Sequence, residues 1–270
     1  MKTVLLFCCC ILFLYPASAQ SELSTQAFGA KSQGMGSGKL FHQDAWSLFN
    51  NIGSLDRASN SQIASSIDQR FGLPELSTIA LSGLIKGDDG SLGLGIARYG
   101  GALFNQHLLG IGISTTRGIL SFGGKIEWMQ TQIEGFGTGN AFLFSFGGIA
   151  ELGPKFFLGS HFSNLNQAKL SKNSNQQLPT VMQLGLNYLP SKNLVFQAEL
   201  EKDLDAPPSL KIGLQYQLED WIYLRTGLHS QPSRLSFGLG LQKKWIGLDY
   251  AYGQNAALGS SHHLSLHLNR

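Results

Sequence analysis

Beyond Cys10 the chain has no cysteine: Cys8, Cys9 and Cys10 are all of them. They lie in a leader-like stretch with Lys2 at the front, an apolar core from Val4 to Leu14 and a small-x-small site at Ala17-Ser18-Ala19. Residues 1–19 therefore read as a cleavable secretory signal. The expected mature chain, from Gln20, has no thiol, which excludes a disulfide framework, a thiolate metal site and a cysteine nucleophile. No cysteine stands at the cleavage point to mark a lipoprotein.

Charge is scarce too. Charged residues make up 14% of the 270 residues, against about a quarter in a soluble domain, so the surface is short of solvating groups. The net charge of +3, from 20 basic and 17 acidic residues, is too small to imply a nucleic-acid partner. After the leader there is no unbroken apolar run of helical spanning length, which excludes a transmembrane helix in the mature chain. An exported chain without a helical anchor is bound for the periplasm, the medium or an outer membrane.

Catalytic signals are missing as well. No Gly-x-Ser-x-Gly elbow and no paired carboxylates on a recognisable scaffold occur, so no enzymatic activity is expected. The stretch from Gly34 to Leu40 fails as a phosphate loop because Gln33 stands where its first glycine belongs and Leu40 replaces the Ser/Thr. His262, His263 and His267 lack a third partner at metal-ligand spacing, and hydrogen bonding in a lumen or at a rim suits them better. No cofactor is expected.

What the chain has is alternation. From Ser61 onward apolar residues recur with period two, as in Leu235, Phe237, Leu239 and Leu241 set against Ser236, Gly238, Gly240 and Gln242. The same pattern sets Leu210, Ile212, Leu214, Tyr216 and Leu218 against Lys211, Gly213, Gln215 and Gln217, and Ile246, Leu248, Tyr250 and Tyr252 against Trp245, Gly247, Asp249 and Ala251. Strands are expected near 60–71, 75–86, 90–99, 106–115, 117–131, 140–151, 154–163, 178–189, 192–202, 208–218, 220–229, 233–242, 245–253 and 260–268. Segments of about ten residues cross a bilayer at a tilt. The reading is an all-β chain, an antiparallel transmembrane β-barrel of about 14 strands over residues 60–270.

The connections alternate in length. Tight ones at 86–90, Thr116-Arg117, Leu152-Gly153, Pro190-Ser191, Glu219-Asp220 and Lys243-Lys244 fall between longer ones at 100–105, 135–139, 164–177 and 254–259. Short periplasmic turns and longer outer loops give this rhythm and place both termini inside. The 164–177 loop is the longest and the best candidate for disorder. Trp128, Tyr188, Trp221, Tyr223, Trp245, Tyr250 and Tyr252 fall near strand ends, where an aromatic girdle or ordinary sheet packing would use them. A soluble β-sandwich is the structural alternative. Its exposed face would need charge, whereas the second face here is mostly Gly, Ser, Gln and Ala, which suits a narrow lumen.

Residues 20–59 resemble neither the leader nor the strands. Gly29, Gly34, Gly36 and Gly38 let a backbone turn tightly and approach other backbone closely, and Met35 lies among them. Asp44 can cap a short helical turn carrying Ala45, Trp46, Leu48 and Phe49, with Asn50-Asn51 suited to a left-handed exit. A solvated tail has no use for Trp46, Leu48 and Phe49 so close together. We expect a plug within the barrel. An ordinary surface loop is the alternative.

Gly34-Met35-Gly36, the phrase from Asp44 to Asn51 followed by Gly53-Ser54-Leu55, and the closing Asp249-Tyr250-Ala251-Tyr252, Leu258-Gly259 and His262 to Leu266 together resemble the FadL-like outer-membrane barrels. Within them the chain is most similar to the PorV/PorQ branch associated with type IX secretion in Bacteroidota. It departs from that pattern at Ile52, where relatives have Pro or Gln, and ends on Leu268-Asn269-Arg270 instead of an aromatic residue. The resemblance implies an outer-membrane protein in contact with lipid, and two functions stay open. One is a plugged pore or binding barrel for small apolar solutes; the other is a non-transporting adaptor or accessory component that meets secretion-system proteins.

Counting from the turns also pairs charges on the lumen face. Glu199 falls opposite Lys211 across the turn at 203–207. Arg225 and Asp249 fall at one height two strands apart, with Gly238 between them leaving room for the guanidinium. Such charges either satisfy one another in a tight lumen or form a constriction.

The mature protein is expected in the outer-membrane fraction, migrating faster on a gel when unheated than when boiled. Recovery in a soluble periplasmic fraction would exclude the barrel.

Overall fold

The computed structural model describes residues 22–170 and 177–270. The expected signal at 1–19 and the middle of the 164–177 loop lie outside the described residues. Fourteen strands run in order: β1 Gln62–Arg70, β2 Leu73–Lys86, β3 Ser91–Gly100, β4 Phe104–Arg117, β5 Leu120–Ile133, β6 Gly137–Gly153, β7 Phe156–Ser163, β8 Val181–Ser191, β9 Leu194–Asp203, β10 Ser209–Glu219, β11 Ile222–His229, β12 Arg234–Lys243, β13 Ile246–Asn255 and β14 Gly259–Asn269. Each pairs antiparallel with its neighbours, and β1 pairs with β14 from Gln62↔Asn269 to Gln69↔His262, closing the ring. Closure satisfies the ladder groups that an open sheet would leave bare, the condition for strands to cross hydrocarbon.

Alternation decides which residue faces which way. Outward, the wall presents large apolar side chains such as Ile111, Ile113, Phe142, Phe144, Leu184, Leu239 and Leu264, each at least 40% exposed. Inward, the same strands bury small or polar residues such as Ala97, Ser114, Ser145, Gln183, Ser236 and Ala251. This inside-out distribution is that of a protein solvated by lipid, and it is opposite to that of a sandwich. Trp221 and Trp245, which the sequence pattern set within strands, are turn residues at the rim, 53% and 63% exposed. Tyr188 instead stacks on Phe156 with ring centroids 4.6 Å apart.

All fourteen expected strands form, but the short turns lie later than expected. Thr116-Arg117, Leu152-Gly153 and Pro190-Ser191 remain in the ladder, since Arg117 pairs with Leu120, Gly153 with Phe156 and Ser191 with Leu194. The turns themselves are Gly118-Ile119, Pro154-Lys155 and Lys192-Asn193, and Asp220-Trp221 and Lys244-Trp245 follow the same shift. Side-chain alternation fades at the rim, where both faces meet water, while the ladder continues to the last residue that can be bridged. Five of the short-end turns are thus two residues long, and 87–90 is the sixth connection at that end. The ends of the 164–177 loop are held by Asn164, whose Nδ2 donates to the Leu178 carbonyl at 2.9 Å and whose Oδ1 accepts from the Ala168 N–H at 2.9 Å.

The N-terminal segment 22–58 lies inside the ring. It comprises α1 Glu22–Thr25, α2 Ala30–Gly34 and two 3₁₀ turns, Ala45–Leu48 and Ile52–Arg57. The α2 helix touches β11 to β14, whereas the second 3₁₀ turn touches β3 to β6 on the other side. Inward glycines make room for it. A Cβ on Gly95 would fall 2.6 Å from the Phe49 ring, and one on Gly213 would fall 2.7 Å from the Met35 carbonyl oxygen.

Gly95→Val should therefore force Phe49 and the first 3₁₀ turn to shift, an overpacking cost of about 1–3 kcal/mol. Outward Gly83, where the nearest atom to an added Cβ is 3.9 Å away, should accept Ala with little change. Urea unfolding of the heat-modifiable band checks both; equal midpoints would show that the segment does not fill the lumen.

Candidate functional site

The lumen and its contents are the candidate site. The N-terminal segment is tied into shape by its own polar side chains. Asp44 caps the first 3₁₀ turn, accepting from the Trp46 N–H at 3.0 Å, and Ser47 answers its backbone to complete a capping box. Asn50 pairs with Phe28 as a strand neighbour would, Oδ1 accepting from its N–H and Nδ2 donating to its carbonyl, both at 2.9 Å. Asn51 does not make the left-handed exit expected of it. Its backbone is extended, and its Oδ1 caps the second 3₁₀ turn by accepting from the Gly53 N–H at 3.1 Å while Nδ2 donates to the Leu40 carbonyl at 3.0 Å. The local reason is that a second helical turn follows at once, so an N-cap is needed and a C-cap is not. Burial, reinforced by Lys31, holds His42 well below the usual imidazole value, and the neutral ring donates from Nε2 to the Gly38 carbonyl at 3.0 Å.

Apolar packing fixes one side of this segment. Trp46, Leu48, Phe49, Ile52 and Leu55, each at most 5% exposed, join Phe28 and the inward Ala80, Leu84, Ala97, Leu108, Met129 and Leu143 in one cluster. Phe28 stacks on Phe49 with centroids 4.6 Å apart. Leu178 and Leu170 from the 164–180 connection close over the cluster. Burial of that many large side chains, at about 1.5–3 kcal/mol each, makes this the strong attachment.

Charges fix the other side, in a pattern the turn counting resolved only in part. Glu199 and Lys211 do sit opposite each other in the β9–β10 register. They are not hydrogen-bonded partners, however. Glu199 Oε2 and Oε1 accept from the backbone N–H groups of Lys39 and Leu40, both at 2.8 Å. Lys211 Nζ turns to Glu201 Oε2 at 2.6 Å, which Lys39 Nζ also approaches at 3.4 Å. The segment's irregular backbone carries donors that no strand can pair, and a carboxylate is the group that takes two of them at once. Glu201 escaped the sequence reading although it shares Glu199's face two residues on; Lys39 could not be placed without the fold.

Arg225 and Asp249 meet, Nη1 to Oδ1 at 2.6 Å, with Arg225 Nε donating to Gln215 Oε1 at 2.7 Å. The glycine beneath them is Gly240, not Gly238. A Cβ on Gly240 would lie 2.7 Å from the guanidinium, whereas one on Gly238 would lie 3.2 Å from the Gly34 Cα. Gly238 is opposite Arg225 and Gly240 opposite Asp249, and the side chains lean along the strands to meet over the latter. Gly34 and Gly36 press against the wall at β10 to β13. A Cβ on Gly36, whose φ is +71°, would sit 2.6 Å from the Leu228 carbonyl oxygen. His263 Nδ1 lies 2.9 Å from Asp68 Oδ1, and no metal-ligating group of three occurs among the described residues.

Two cavities remain on this charged side. One of about 400 Å³, at the end with longer connections, is lined by Gln26, Ser37, Lys211, His229 and Arg234 among others. The second, about 270 Å³ at the short-turn end, is lined by Lys31, Asp44, Gln215, Arg225, Asp249 and His267 among others.

No protein-family model matches the chain, and no curated protein matches it by sequence. Solved structures do match its fold. The toluene transporter TodX of Pseudomonas putida aligns with 91% of this chain and 99% of its own at a TM-score of 0.71 and 14% identity. The toluene transporter TbuX of Ralstonia pickettii aligns with 90% and 98% at 0.69 and 12% identity. A Pseudomonas aeruginosa FadL homologue aligns with 89% and 98% at 0.65 and 13% identity. The chain has the fold of these barrels; at such identities the likeness is one of fold alone.

Glu199→Ala should leave two buried N–H groups without an acceptor and loosen residues 36–42 by about 2–4 kcal/mol. Trypsin cleavage after Lys39 in detergent-solubilised protein should speed up at least about tenfold, with Glu199→Gln intermediate. Unchanged cleavage would mean that the carboxylate does not anchor the segment.

Proposed function

We propose that the protein is a plugged outer-membrane pore for small solutes, apolar ones among them, exported through the signal at residues 1–19. Residues 20–59 act as the plug, with Gly34, Met35, Gly36, Asp44, Trp46, Phe49, Asn50 and Asn51 shaping and seating it. The observation that carries this reading is the passage of the segment through a closed ring, seated by side chains and not by any strand pairing. A filler held only by side chains can be displaced without opening the barrel. The apolar seam between Trp46, Phe49 and the inward face of β1 to β6 is the surface that an apolar solute would meet on displacing it, in keeping with the toluene transport named for TodX and TbuX. Its solvent is outer-membrane lipid, and no cofactor or nucleic acid enters the reading.

The PorV/PorQ-like role, as a non-transporting adaptor or accessory component of a type IX secretion system, would work through the outer connections. Apart from 164–180, these are two to five residues long. They offer a secreted protein little surface, and nothing about them favours that role.

Replacing Trp46, Leu48 and Phe49 together with Ser should unseat the plug and raise toluene uptake into proteoliposomes while the barrel still shows heat-modifiable migration. Unchanged uptake, with the segment no more open to protease than before, would overturn the gating role.

A further inference from the structure

The interior is not uniform, and the difference concerns what the pore can pass. On the β1–β6 side the lumen is filled by the aromatic and aliphatic cluster and roofed by Leu170 and Leu178. On the β9–β14 side two cavities lie one above the other, with α2 and the glycine-rich residues after it between them: Gln33 and Ser37 face the upper cavity and Lys31 the lower. The lower cavity is lined mainly by charged groups and amides, whereas the upper one mixes Lys211, Arg234 and Gln33 with apolar residues such as Phe71, Val181, Pro232 and Leu258. In the upper one Gln26, 7% exposed, spends its Oε1 on Arg70 at 2.9 Å and Thr78 at 3.1 Å, while its Nε2 is buried with no acceptor.

The septum between the cavities is held by polar contacts. The Gly36 N–H donates to Ser236 Oγ at 3.0 Å, Ser236 Oγ also lies 3.3 Å from the Gly34 carbonyl, and the Ala30 N–H donates to Ser265 Oγ at 3.1 Å. Arg234 reaches Ser37 Oγ from the wall. Gly34 lies against Gly238 backbone to backbone, with no side chain interposed. Apart from Met35, the large apolar anchors of the segment lie outside residues 30–38, at Leu23, Phe28, Leu40 and residues 46–55. Water or a hydroxylated solute can replace each of the septum's hydrogen bonds, and neither can replace the apolar packing on the opposite wall.

We propose that this barrel passes small hydrophilic solutes, of amino-acid or monosaccharide size, along its β9–β14 wall, through the two cavities with their charged and amide groups and past a septum formed by residues 30–38. The inference rests on the pore reading but names a different solute class and a different side of the plug. The anchored 3₁₀ turns stay in place, and Gly29 and Gly36, at φ +86° and +71°, give the septum the backbone freedom to swing. Gln26, His229 and Ser37 meet the solute above the septum, and Gln215, Asp249 and His267 below it.

The chain from residue 20 has no cysteine, which permits a direct test. Ala30→Cys with Ser265→Cys should form a crosslink that pins the septum, visible as a mobility shift. Proteoliposomes of the oxidised double variant should swell in isotonic arabinose or glycine at least about tenfold more slowly than after reduction, with toluene uptake the same in both. Ser236→Ala, which removes the septum's tie to the wall, should speed arabinose entry roughly tenfold, the factor expected from loss of one or two hydrogen bonds on an opening equilibrium. Equal swelling of oxidised and reduced protein, no swelling in either solute, or a crosslink that never forms would each overturn the polar route. Toluene uptake reports separately on the pore, so failure of the polar route does not count against it.

Discussion

Pairing of β1 with β14 is the constraint on which everything else depends. Once Gln62 to Gln69 are bonded to the last strand, no edge remains, and each inward residue faces a closed volume. That volume must be filled or hydrated. The filler is the chain's own N-terminal segment, which runs from the end with longer connections, where Gln26 meets Arg70, to the end where β1 begins, and which has no strand partner inside among the described residues. Its backbone groups are answered by side chains of the wall and of the segment itself, and the inward glycines mark where the backbones or rings come closest.

The attachment is divided by chemistry. Toward β1 to β6 it is extensive and built on the apolar cluster, with the ion pairs Asp56–Lys86 and Arg57–Glu151 added near the rim; toward β9 to β14 it consists mainly of hydrogen bonds and buried ions. The two kinds of attachment respond differently to a solute. Dispersion and burial are lost when the surfaces part, whereas a hydrogen bond is exchanged for another with little change in free energy.

The buried charges are economical in their arrangement. Glu201 receives two ammonium groups and the amide of Gln183, while Glu199 receives two peptide N–H groups. On the apolar side Lys125 lies between Glu127 Oε1 and the Phe49 carbonyl, both at 2.9 Å. Removing either Lys125 or Glu127 leaves an uncompensated buried ion, at about 3–5 kcal/mol. Charge is scarce in this chain, and much of what there is lies in the lumen.

Period-two alternation and its interruptions were enough to place fourteen strands and to assign Leu239 outward and Ser236 inward, because a strand's two faces are a property of the local backbone. The N-terminal departure from that pattern, with Trp46 and Phe49 beside a glycine-rich stretch, was equally plain. Turn positions were legible only to within two residues, since alternation weakens at a rim wetted on both faces. The pairing of charges was legible as register and not as contact: Lys211 stands opposite Glu199 and still bonds to Glu201, and Arg225 reaches Asp249 over Gly240. What decided those contacts was the segment threaded through the lumen, whose N–H groups at Lys39 and Leu40 claim Glu199 first. Sequence alone determined the wall, because a strand carries its own two-residue rule. Only the tertiary structure decided what the wall holds, because an irregular segment is placed by the volume and the hydrogen-bond acceptors that surround it.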